Sequence, residues 1–74
     1  MKPDEKALKI IGEKLKKLRE DAGYTSYETF ASDHDLSRMH YWTVEKGKRN
    51  ITIKTLVKIL AIHKLTIEEF FKDK

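Results

Sequence analysis

The sequence predicts an all-α domain of five short helices around one core, on three observations. Apolar residues recur at three- and four-residue steps, the period of one helix face, and no stretch alternates with the two-residue period of a strand. The intervening segments are short and rich in Ser, Thr, Asp and Gly, the residue types that start and stop helices. The chain has 74 residues, room for a single domain over 1–74.

The first helix runs from about Asp4 to Ala22, with Leu8, Ile11, Leu15, Leu18 and Ala22 on one face and Lys and Glu on the others. Gly12 interrupts that run at a cost of roughly 1 kcal/mol against alanine, which suggests close packing of another helix. Gly23 stands where a C-terminal cap is expected. The second helix covers about 26–33. Thr25 with Glu28 fits a capping box, and Ser26 is the competing cap. Its apolar side is Phe30 and Ala31. The polar stretch Asp33–His34–Asp35 reads as a turn, since Asp tolerates the left-handed backbone.

The third helix covers about 37–46, with Ser37 as its N-cap and Gly47 closing it. Leu36, Tyr41 and Val44 form one apolar edge. At about 100° per residue, Met39, Thr43 and Lys46 fall on the opposite side, with Trp42 beside them and Arg38 at the helix start. After the loop Lys48–Ile51, Thr52 caps a fourth helix that buries Leu56, Ile59, Leu60 and His63. Thr66 caps a short fifth helix carrying Ile67, Phe70 and Phe71. These last side chains serve either to close the core or to meet a second copy of the chain.

Composition excludes several classes. There is no cysteine, so neither a disulfide framework nor a thiolate metal site is available. The apolar runs are far below the roughly 20 residues of a membrane span, and the start MKPDEKALK has no apolar signal core. A cytoplasmic protein without a membrane partner is expected. His34, His40 and His63 lie on separate elements without metal-ligand spacing. Ser37 with His40 and Asp35 makes no catalytic triad, because Ser37 is explained as a cap and no glycine-rich elbow or oxyanion loop accompanies it. No phosphate-cradling glycine loop is present. Neither catalysis, a cofactor nor a small-molecule ligand is indicated.

Charge is distributed unevenly. Net charge is +3 over residues 1–20, −4 over 21–35, +5 over 36–58 and zero over 59–74, for +4 in all. Cations thus gather around the third helix and the loop after it, as a phosphate partner requires.

These residues carry a resemblance. From Ile11 to Phe71 the chain resembles the lambda-repressor-like, Cro-type helix-turn-helix domains of the xenobiotic-response-element family. The matching strings, in order, are IGEKLKKLRED with Gly23, SYETFA, LSRMHYWTVEKGKRN and ITIKTLVKILAIHKLTIEEFF; VEKGKRN before a capped amphipathic helix is the most specific. The resemblance implies a sequence-specific regulator of transcription, a repressor or controller, whose third helix enters the major groove of double-stranded DNA. It implies base contacts from Arg38, Met39 and Thr43 with His40 nearby, and backbone contacts from Lys46, Lys48, Arg49 and Asn50; Tyr27 stands where the family has a DNA-touching glutamine, and its phenol can donate one hydrogen bond to the phosphate backbone. It also implies a pairing of Arg19 with Glu45, for which a merely exposed ion pair is the plainer alternative.

The chemistry of the residues agrees. Arg38 offers guanine a two-pronged donor, Met39 and Thr43 offer a thymine methyl apolar surface, and Thr43 adds a hydroxyl. Departures from the family pattern are one extra residue near Tyr24–Thr25, Asp35 and Lys64 in place of glycines, Tyr27 in place of a glutamine, and Ile51 where proline is frequent. Paired half-sites imply a homodimer. The alternative is a protein-interaction module of the same fold, an antitoxin-like or coactivator-like adaptor. The acids around the second helix allow it, and an apolar patch including Trp42 and Tyr27 would favour it.

Overall fold

A computed structural model describes residues 3–72; Met1, Lys2, Asp73 and Lys74, the ends of the expected 1–74 domain, lie outside the described residues. The helices are α1 (Pro3–Asp21), α2 (Tyr27–Asp33), α3 (Arg38–Glu45), α4 (Ile53–Ile62) and α5 (Ile67–Lys72), with no strand among the described residues. The predicted all-α, five-helix architecture is the one observed.

Local chemistry sets the boundaries. The Ser26 side chain accepts from the amides of Glu28 and Thr29, so Ser26 is the cap of α2 and the Thr25–Glu28 box does not form. Ser37 accepts from His40 N at the start of α3, and Thr52 from Thr55 N at the start of α4. A capping box occurs instead at α5: Glu69 N donates to Thr66 Oγ1, and Thr66 N to Glu69 Oε1. At the other end of α5, Lys14 donates to the Phe70 carbonyl, one of the acceptors the helix itself cannot use. Asp35 and Lys64 both adopt left-handed backbone, at φ 59° and 60°, where the family resemblance leads one to expect glycine.

The core is built on Leu15, Phe30, Ala31, Tyr41, Val44, Leu56, Ile59, Leu60 and Phe70. Phe30 is its hub, edge-on to Tyr24 at 5.2 Å and stacked on His63 at 5.4 Å with only 6° between the planes. Ala22 departs from expectation: it lies just beyond α1 and is exposed, so the apolar face of α1 ends at Leu18. The fifth helix divides its aromatics, with Phe70 buried in the core and Phe71 52% exposed.

Gly12 sits where α1 crosses the end of α3. A Cβ there would stand 2.3 Å from the carbonyl oxygen of Glu45 and 2.7 Å from that of Val44. Both obstacles are backbone, so no side chain is available to swing aside. Gly12→Ala should therefore destabilise the protein by about 1–3 kcal/mol despite alanine's better helix propensity. Urea unfolding measures this, and an unchanged or raised midpoint would contradict the close contact.

His63 caps α4 beside Phe30, with no hydrogen-bond partner for its buried Nε2 among the described residues. Burial, and secondarily the nearby His34, lower its pKa below the ordinary histidine value. The folded state disfavours the charged ring, so between the lowered value and the unfolded 6.5 the unfolded chain binds more protons. Stability is thus full above that window and declines as pH falls through it. The urea midpoint should drop between pH 7.5 and pH 5.5, and His63→Gln should flatten that dependence; an equal slope in the variant would assign the drop elsewhere.

Candidate nucleic-acid interface

The position of α3 follows from what its inner side touches. Tyr41, Val44 and Glu45 are buried. Arg19 on α1 donates from Nε to Glu45 Oε2 at 2.8 Å and from Nη2 to Glu45 Oε1 at 3.2 Å, while its Nη1 donates to the Tyr24 carbonyl at 2.9 Å. Both side chains are only 5% exposed. The expected pairing is present, and its reading as an exposed ion pair is overturned. The bond to Glu45, more than the desolvation opposing it, raises the Arg19 pKa, so the guanidinium stays charged. The Tyr41 phenol is buried nearby, and no group among the described residues meets hydrogen-bond geometry at its Oη. Burial first, and the neighbouring Glu45 carboxylate second, hold it protonated well above the usual range.

With that side fixed, the opposite side of α3 meets solvent. Arg38 is exposed at the helix start. Met39 is 70% exposed, the largest value among the exposed large hydrophobics. Thr43 is half-buried, and its Oγ1 donates to the His40 carbonyl at 2.7 Å. Lys46, the C-cap, is exposed, and Trp42 is half-buried. His40 stands apart from this group: it is half-buried and shares a crevice with Thr55 and Ile59 of α4. Tyr27 opens α2 and is half-buried against the core.

Lys46, Lys48, Arg49 and Asn50 line one depression. Its other wall is the start of α1, where Lys9 joins them and Asp4 and Glu5 bring opposite charge. The loop reaches α1 because Gly47 turns at φ 69° with its Cα side against Lys9; a Cβ would lie 2.8 Å from the Lys9 Cα. Sequence reasoning missed Lys9. Nothing in linear spacing ties it to this loop, and the available hint was a second interior contact glycine, of which only Gly12 was read as one. Among the described residues no cluster of His, Cys, Asp or Glu is arranged to hold a metal, and no helix is long and apolar enough to cross a membrane.

A helix held by its inner side, with a solvent-facing outer side and a cationic rim, is the arrangement of a helix-turn-helix regulator. Comparison with known proteins gives the family. No family model matches the chain. It is 45% identical over 63 residues to the control protein C.MunI of a Mycoplasma species, covering 85% of each chain. It is 40% identical over 55 residues to the plasmid copy control protein CopR of Streptococcus agalactiae, covering 74% of this chain and 56% of that one. The crystal structure of the restriction-modification controller protein C.AhdI from Aeromonas hydrophila aligns at a TM-score of 0.77 and 30% identity, covering 89% of this chain and 98% of that chain. The chain belongs to this family of helix-turn-helix controller proteins, and it is a DNA-binding transcriptional regulator.

Removing either member of the buried pair leaves the other charge without its partner. Arg19→Ala or Glu45→Ala should cost about 3–5 kcal/mol, and an apolar replacement of both together should cost much less than the sum. Additive losses in a denaturant double-mutant cycle would show that the two side chains act separately.

Proposed function

We propose that the protein represses or controls transcription as a Cro-type regulator of the xenobiotic-response-element kind, reading a specific operator with α3 in the major groove. The observation that carries this reading is the capped α3, whose outward side bears Arg38, Met39 and Thr43 beside the cationic depression of Lys46, Lys48, Arg49 and Asn50. In this reading Arg38, Met39 and Thr43 meet base edges, and His40 contributes only from the flank. Lys46, Lys48, Arg49 and Asn50 meet the phosphate backbone, and Tyr27 touches it through its hydroxyl. Phosphate contacts set affinity and register, whereas base edges carry sequence. The similarity to a restriction-modification controller supports a role in controlling such a system. The protein acts in the cytoplasm, with the DNA.

The regulator works as a homodimer on two half-sites about one helical turn apart. Half-exposed Phe71, with Ile67, on the outer side of α5 supports that helix as the contact between copies. An adaptor role is less well supported. Tyr27 is packed against the core, which draws it away from the apolar patch with Trp42 that such a role needs.

The test is selection of duplexes from a randomised pool, followed by fluorescence anisotropy across a salt series. A two-fold symmetric enriched site with a steep salt slope is expected; weak binding with no enriched sequence would overturn the reading. On the selected site, Arg38→Ala should cost about 1–3 kcal/mol and relax one base position, whereas Lys48→Ala should weaken all duplexes alike and lower the salt slope by about one. Equal losses from Arg38→Ala on every sequence, or an unchanged slope in Lys48→Ala, would reassign that residue.

A further inference from the structure

We propose that Met39 and Thr43 together form an apolar reader for the 5-methyl group of a pyrimidine, so that binding responds to a methyl group in the major groove whether thymine or 5-methylcytosine carries it. This rests on the reading of α3 as the groove-facing helix. Two observations carry it beyond that reading. The first is Met39, 70% exposed on a helix whose inner residues are buried. A long unbranched thioether there has no hydrogen-bond donor to offer a base edge. The second is the Thr43 hydroxyl. Its one proton is already given to the His40 carbonyl at 2.7 Å. What Thr43 retains for a partner is its methyl group and an acceptor lone pair.

The two residues stand four apart on α3, hence on one face and one turn apart. Among the groups that base pairs display in the major groove, the pyrimidine 5-methyl is the apolar one. A pair of side chains without a free donor is matched to it and poorly matched to N7, O6 or O4, which require one; an adenine or cytosine amino group would find only the Thr43 lone pair, and nothing at Met39 beyond a weak sulfur acceptor. Recognition through the methyl alone does not distinguish the ring that bears it, and cytosine methylation inside the site then acts on binding as a thymine would.

The experiment uses the full chain and the duplex obtained by selection. Each thymine is replaced singly by deoxyuridine, which removes the methyl and keeps the hydrogen-bonding edge; separately, each cytosine is replaced by 5-methylcytosine. Loss of one buried methyl corresponds to about fourfold in affinity. The expected result is an approximately fourfold loss at one or more thymines, a comparable gain at a methylated cytosine, or both; the direction identifies which base is read. The effect should vanish in Met39→Ala and shrink in Thr43→Ser, which keeps the hydroxyl. It should persist in Thr43→Val, which keeps the methyl. Selective binding indifferent to every such replacement would overturn this proposal and leave the regulator reading standing. So would a methyl effect that survives both Met39→Ala and Thr43→Ser, or one lost in Thr43→Val but kept in Thr43→Ser. Absence of selective binding would overturn the regulator reading, and this one with it.

Discussion

The contact between α1 and the end of α3 fixes the rest of the molecule. Gly12 lets the two backbones approach within a distance that any side chain would forbid, and the Arg19–Glu45 pair locks the same crossing a little farther along. A buried ion pair is an expensive way to gain stability, because desolvation offsets most of the attraction. What it does supply is geometry. Two parallel hydrogen bonds and a third to the Tyr24 carbonyl define position and rotation at once. Rotation matters here more than strength. A turn of α3 by one residue would bury Met39 or expose Tyr41, and the outer face would be lost.

Charge is divided unevenly among the elements around that contact. Of the acids in residues 21–35, Asp21 ends α1, Glu28 and Asp33 lie on α2, and Asp35 stands in the turn before α3; of the cations in 36–58, Arg38 opens α3, Lys46, Lys48 and Arg49 follow it, and Lys54 and Lys58 lie on α4. The stretch from α3 into α4 attracts a polyanion, and the acids of α2 and its neighbours repel one. The wall from α1 refines this. Lys9 adds to the cationic rim, while Asp4 and Glu5 beside it moderate the field. Because Gly47 holds the loop against Lys9, the rim belongs to the same rigid α1–α3 unit and not to a free loop.

Most of the fold was legible because its signals are local. Ser37, Thr52 and Thr66 cap their helices, Gly23 and Gly47 take left-handed backbone, and Asp35 does so without being glycine, all within a few residues of where the chemistry acts. The cap of α2 was ambiguous for the same reason. Thr25 and Ser26 are chemically equivalent acceptors, and only the path of the chain after Tyr24 decides that Ser26 stands in register with the amides of Glu28 and Thr29. Burial was harder to read than periodicity. The pairing of Arg19 with Glu45 was expected from family resemblance, but nothing in two charged residues 26 apart shows that both will be sealed from water. Lys9 was invisible because its relation to the loop is purely tertiary. His40 was expected beside the base-facing residues, and its half-burial toward α4 appears only once that helix is packed.

The outer face of α3 carries a further consequence of the same economy. A helix of eight residues has few positions to spend, and three of them, Tyr41, Val44 and Glu45, are committed to the interior. Those that remain divide by chemistry: a charged donor at Arg38, an apolar reach at Met39, and at Thr43 a hydroxyl turned back on its own helix. Such back-bonding competes with solvent and with any outside partner for the single proton of the hydroxyl. It converts a residue that could have read either polar or apolar groups into one biased toward the apolar. In the proposed reading the first turn of the helix carries both the charged donor of Arg38 and the apolar reach of Met39, and Thr43 extends the apolar surface one turn on. In the same reading the cationic rim sets how strongly and in what register the face is pressed to DNA, but not which sequence it prefers.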